Sequence, residues 1–313
     1  MSGEVCRWTS QKDALEAFAG FQGKTQSAGQ IKPLHWYVAC RLVLEGGFDP
    51  NDITPRPPFR IQKRSGQPPL LHYDETKAGG GERTILGGLK TKNVDVVVTR
   101  DGLGPVVAVS CKGVTAALRN LTNRLEETVG ECTNLHITYP ALVLGYLVVL
   151  RANRQVDAVL EDALAEVADA EAIEEKQPGR ALTKNDIAMG EGGEPVALVL
   201  RFHNALREMT GRRGIRNDVS RYEAIGFGMV EMEPSALGTL LDSYPASEST
   251  LRIERFFQTL YLRYDERFVT SAPDLASKTR RHEWAADSPA LQIDGLDYEG
   301  RTVPAVPPPL SDG

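Results

Sequence analysis

Asp95, Ser110, Cys111 and Lys112 are the residues whose types and spacing suit chemistry best. Asp95 opens one β-branched run and Ser110-Cys111-Lys112 closes the next, so a hairpin joining the two runs brings a carboxylate and an ammonium to one end of a sheet. A carboxylate placed there can hold Mg2+, which polarises a phosphate and activates water, while a nearby ammonium stabilises charge or orients the nucleophile. That grouping suits phosphodiester hydrolysis. A second carboxylate is still needed, because Ser110, two positions before Lys112, is a poor metal ligand. The following helix offers Glu126 and Glu127. At about 100° per residue, Leu118, Leu121, Leu125 and Val129 make one apolar stripe that should pack on the sheet. Glu127 points away from that stripe, whereas Glu126 lies beside it, in line with Thr115, Arg119 and Thr122, as a polar flank bordering a cleft. Glu126 is therefore the expected second carboxylate.

The elements that must position these groups can be read from residue patterns. Residues 94–99 and 105–112 are β-branched runs separated by Arg100-Asp101-Gly102-Leu103-Gly104, a hairpin turn. A helix is expected over 115–130, and the apolar run 141–150 reads as a fully buried strand. Strand, strand, helix, strand makes an α/β core, a mixed β-sheet flanked by α-helices. Upstream, residues 12–46 hold two helices, the second with Pro33 in its first turn and stopped by Gly46-Gly47. Residues 50–88, rich in Pro and Gly, read as loops with short strands. Downstream come a helix over 196–209, an arginine-rich loop, a strand over 222–232 and a helix over 250–264. A single domain is expected over 1–302, with its catalytic core at about 93–151. An acidic helical insertion occupies about 156–194, and a disordered Pro-rich tail follows at 303–313.

Composition excludes several classes. With 313 residues, 41% hydrophobic and 25% charged, the chain matches an ordinary globular protein and not a disordered, collagen-like or repeat-array one. The longest apolar run, 139–150, is too short to span a membrane, and the N-terminus lacks a basic region followed by an apolar one, so a cytoplasmic protein with no membrane partner is expected. The four cysteines show no CxxC spacing, which predicts neither a zinc site nor a disulfide framework. No two of the five histidines show metal-ligand spacing, and His35 beside Trp36 reads as a structural residue of an apolar helix. Gly87-Gly88-Leu89-Lys90-Thr91 lacks the glycine before lysine and the following helix that a P-loop needs. The net charge of −6 does not announce a nucleic-acid binder, yet residues 157–194 hold eleven acids against three bases, which leaves the rest of the chain slightly basic.

Asp95 on a hairpin, Ser110-Cys111-Lys112 and then Glu126 after thirteen residues resemble the Mg2+-dependent nucleases of the PD-(D/E)xK superfamily, in the type II restriction endonuclease branch. The match is to a variant in which the usual Glu before Lys is replaced by Ser and a Glu on the next helix supplies the carboxylate. The resemblance, over roughly residues 93–151, implies a restriction-endonuclease-like core. It also implies metal ligation by Asp95, Glu126 and the Cys111 carbonyl, and Lys112 acting near the attacking water. Double-stranded DNA would be the substrate, and a cognate DNA methyltransferase encoded nearby the companion. A palindromic site would be matched by a homodimer. Arg207, Arg212, Arg213, Arg216 and Arg221 cluster around Gly211 and Gly214 and, with Arg119, are the expected DNA contacts, since arginine grips phosphate and reads guanine bidentately. Two other readings stand beside this one. They are a non-catalytic DNA-binding or defence-complex subunit on a nuclease scaffold, which Ser110 in place of Glu would suit, and a nuclease with little sequence preference.

Overall fold

β-branched runs build a five-stranded mixed sheet with helices packed on both faces, an α/β fold. The computed structural model describes residues 8–22, 28–115, 118, 121–154, 186–216 and 218–303. The helical part of the expected acidic insertion, and the tail after 303, lie outside the described residues.

In chain order, α1 (Gln11–Ala19) is capped by Ser10, whose hydroxyl accepts the Asp13 N–H. α2 (Lys32–Leu44) carries Pro33 in its first turn, where no amide donor is required. β1 (Ile53–Thr54) is two residues long. β2 (Phe59–Arg64) pairs with β3 (Gln67–Tyr73), and β4 (Arg83–Ile85) with β5 (Lys92–Val94), as two small antiparallel ribbons. β6 (Val96–Arg100) and β7 (Gly104–Val114) form the expected hairpin, and its turn has positive φ at Gly102 and Gly104, a conformation that suits glycine. α3 (Leu121–Thr138) then crosses to β8 (Val143–Arg151), which runs parallel to β7 with Ser110 opposite Tyr146 and Lys112 opposite Val148. α4 (Ala197–Glu208) leads to β9 (Ala224–Val230), parallel to β8, and α5 (Ile253–Tyr264) follows. The sheet order is β1-β6-β7-β8-β9. Outside β9, Leu241 N–H donates to Met229 O and Glu231 N–H to Thr239 O.

Alternation along the strands assigns each side chain to a face. Val107, Val109 and Cys111 of β7 pack among α1, α2 and α5, whereas Ala108 shares a second core with Cys132 and Leu135 of α3 and Val199, Phe202 and Leu206 of α4. Ser110 and Lys112 therefore point to the α3 side. On the other side α5 comes so close that a Cβ added at Gly145 would lie 2.8 Å from Phe256 Cζ. No helix among the described residues is long and apolar enough to cross a membrane.

α3 corrects one expectation. It spans Leu121–Thr138 and runs through Gly130, and its buried residues are Leu121, Thr128, Glu131, Cys132, Asn134, Leu135 and His136. Val129, assigned to the apolar stripe, is 38% exposed. The longer helix takes its register from Cys132 and Leu135, which lie beyond the expected end.

Candidate active site

The chain passes from the β4–β5 ribbon to the main sheet at Asp95. Val94 and Val96 on either side pack into different cores, so the position is clamped from both faces. Asp95 is 6% exposed. Its Oδ2 accepts the Cys111 N–H at 2.7 Å and lies 3.4 Å from Lys112 Nζ, which supplies the partners that a buried carboxylate requires. Oδ1 faces α2, 3.6 Å from His35 Nε2, beyond hydrogen-bond range.

On the α3 side, Ser110 Oγ donates to Glu131 Oε1, and Lys92 Nζ sits 2.8 Å from Glu131 Oε2. The strand position that lacks an acid is thus bonded to a helix carboxylate. Burial on its own would lower the Lys112 pKa, but the charges of Asp95 and Glu131 outweigh it and hold the ammonium above its ordinary value. Lys112 therefore stays charged through the neutral range and suits charge stabilisation better than proton abstraction. Its side chain remains 32% exposed, as does that of Lys92, so both cations reach solvent beside the two buried acids. Burial pushes the His35 imidazole pKa down, only partly offset by Asp95, and pushes the Cys111 thiol pKa up.

Asp95, Ser110, Cys111 and Lys112 are brought together as expected. Glu126 is not among them. It is exposed on α3, and the five positions separating it from Glu131 turn the helix to a face roughly 140° away. Arg119 lies outside the described residues. Arg207 is exposed near the end of α4 beside Glu208, and Arg213, Arg216 and Arg221 are exposed on the loop before β9. That loop lies at the end of the sheet where β8 and β9 begin, some four residues of strand, about 13 Å, from the level of Lys112. Arg212 is 1% exposed and cannot reach a nucleic acid. It donates to Glu223 Oε1 at 2.6 Å and to the carbonyls of Pro140 and Ile215 at 3.0 Å.

Three residues of the cluster are not evident from the sequence pattern. Glu131 needed the true helix register, for which the spacing of Thr128, Cys132 and Leu135 was the available signal. Lys92 and His35 arrive from β5 and α2, which no local spacing connects to the hairpin. No protein-family model, curated protein or solved structure matches the chain.

Proposed function

We propose that this chain is a Mg2+-dependent endonuclease that hydrolyses phosphodiester bonds of double-stranded DNA at a specific site, as a type II restriction endonuclease does. The observation that carries the reading is the meeting of Asp95 and Lys112 at the hairpin with Glu131, the helix carboxylate bonded to Ser110. These acids offer the hard oxygen donors that Mg2+ prefers, and Asp95 and Glu131 would hold it, with the Cys111 carbonyl as a further donor. When bound, the ion supplies Lewis acidity towards the phosphate and makes a nucleophile of water.

The chain's own residues prepare that step. Asp95 fixes Lys112, whose retained charge offsets the negative charge that builds on the phosphate during attack. Ser110 and Lys92 hold Glu131 in one orientation. Arg207, Arg213, Arg216 and Arg221, remote from Asp95 and Lys112, suit contacts to flanking phosphates more than to the scissile one. Arg212 has no part in binding. A two-fold pair of copies would match a palindromic site, and a companion methyltransferase would protect host DNA in the cytoplasm.

The test is incubation with unmethylated phage DNA, with Mg2+ or with EDTA, beside a Lys112→Ala variant. Discrete Mg2+-dependent fragments lost in the variant support the reading. A smear moves the assignment to a nuclease with little sequence preference. Intact DNA together with salt-sensitive binding moves it to a non-catalytic DNA-binding subunit.

A further inference from the structure

We propose that His35, Asp95 and Cys111 form a binding site for one divalent ion of the zinc class, distinct in donor chemistry from the Mg2+ requirement above. His35 comes from α2, Asp95 from the junction of β5 and β6, and Cys111 from β7. Each offers a ligand atom, and the three atoms lie within 4.8 Å of one another. A nitrogen, an oxygen and a sulfur donor together favour a borderline or soft ion such as Zn2+ or Co2+ over Mg2+, which takes oxygen.

His35 supplies the second, independent observation. The residue is 5% exposed, yet its Nε2 has no hydrogen-bond partner among the described residues. A polar nitrogen buried this deeply costs free energy unless something satisfies it. Nε2 is aimed at Asp95 Oδ1, and the 3.6 Å between them is too long for a hydrogen bond. Two donors on one tetrahedral zinc, each at about 2.0–2.1 Å, stand roughly 3.3 Å apart, so a small inward shift of either side chain closes the site. Cys111 completes it from the opposite side of the strand to Ser110 and Lys112, because its side chain packs towards α2 while theirs face α3. The thiol proton would pass to buffer as the sulfur binds. Three protein ligands leave a fourth tetrahedral position for water. Asp95 is common to this site and the proposed Mg2+ centre, with Oδ1 facing the imidazole and Oδ2, on the side of Cys111 N–H and Lys112, left to the nuclease centre.

Cysteine and histidine spacing offers no hint of such a site, since the ligands are contributed by three separate elements. The inference does not depend on nuclease activity, and the metal-binding measurement involves no DNA. The full-length protein, stripped with chelator, is titrated with Co2+ and its absorption recorded. The expected result is one equivalent bound, with visible d–d bands and a near-ultraviolet thiolate-to-cobalt band, all displaced by Zn2+. Cys111→Ser should remove the thiolate band, and His35→Gln should weaken binding about tenfold or more. Glu131→Gln should keep the whole spectrum while losing cleavage, which shows that the zinc-class ion does not need the helix acid of the proposed nuclease centre. Because Cys111 is buried and its replacement can disturb folding, X-ray absorption at the zinc edge of the unaltered protein provides a second reading, with one sulfur and at least one imidazole expected in the shell. Failure to retain an equivalent of Co2+ or Zn2+, or a wild-type metal shell without sulfur, would overturn the proposal.

Discussion

Glu131 rather than Glu126 is the acid on which residue-scale predictions turn. Glu131→Gln leaves the size of the side chain but removes the charge between Ser110 and Lys92. On the proposed nuclease reading, cleavage is expected to fall about 100-fold, whereas Glu126→Gln, on the exposed face of α3, should stay within about twofold of the parent. Single-turnover rates on a mapped fragment compare the two directly, and equal losses would restore Glu126 to the site. A second residue-scale effect concerns acid stability. Hydrogen bonds from Arg154, 2.5 and 2.7 Å long, pull Glu231 down from its ordinary 4.5 to about 2. A carboxylate lowered on folding stabilises the native state above its unfolded pKa, and that contribution disappears as pH falls through the folded value. The term should therefore be present above 4.5 and fade towards pH 2. Urea unfolding of Glu231→Gln between pH 3 and 6 should show a shallower acid limb than the parent protein. At this scale the sequence disclosed Asp95, Ser110, Cys111 and Lys112 because a strand turn and strand alternation alone decide where they lie. His35, Lys92 and Glu131 depend on how other elements rotate and dock, which local spacing does not encode.

Elements were legible where one residue class dominates. The valine runs of β6 and β7, the apolar run of β8 and the helices α2, α4 and α5 fall close to their expected bounds, because β-branching and a proline or glycine stop act locally. α3 departed because Gly130 read as a terminator. In the fold it is an interior helical residue without positive φ, and a Cβ added there would meet nothing within 4 Å. Gly130→Ala should therefore stabilise the protein by about 0.5–1 kcal/mol, as a helix-interior glycine loses more backbone freedom on folding than alanine does. The midpoint of thermal unfolding should rise by roughly 1–4 °C. No gain, or a loss, would mean that the added methyl meets a neighbour in the folded protein.

At the scale of the whole molecule, one buried acid ties distant segments together. Glu223, fully enclosed, receives Arg212 at 2.6 Å, Arg267 at 2.9 Å and the Leu144 N–H at 2.8 Å, and His136 Nε2 lies 3.4 Å away. Burial would raise its pKa, but His136, Arg267 and the Leu144 amide outweigh that and keep it ionised. The cluster joins the arginine loop, the start of β8, the end of α3 and the segment after α5. Glu223→Ala would leave two guanidinium groups buried without their anion, and a loss of about 3–5 kcal/mol is expected in chemical denaturation. A value below about 1 kcal/mol would mean that water takes over the role of the carboxylate. Arg212 read as a DNA contact because five neighbouring arginines look alike in sequence, and only the partner eleven positions on separates it from the others.

The two sides of the main sheet are unequal but alike in one respect. β1 presents about 7 Å of backbone, the length of two residues, and the 239–241 segment already takes hydrogen bonds along β9. Among the described residues, a foreign strand finds only short stretches of free backbone at these margins, which disfavours open-ended strand addition. The same economy would bear on the proposed pairing of two copies, whose contact is then expected to rest on helices and loops more than on a shared ladder.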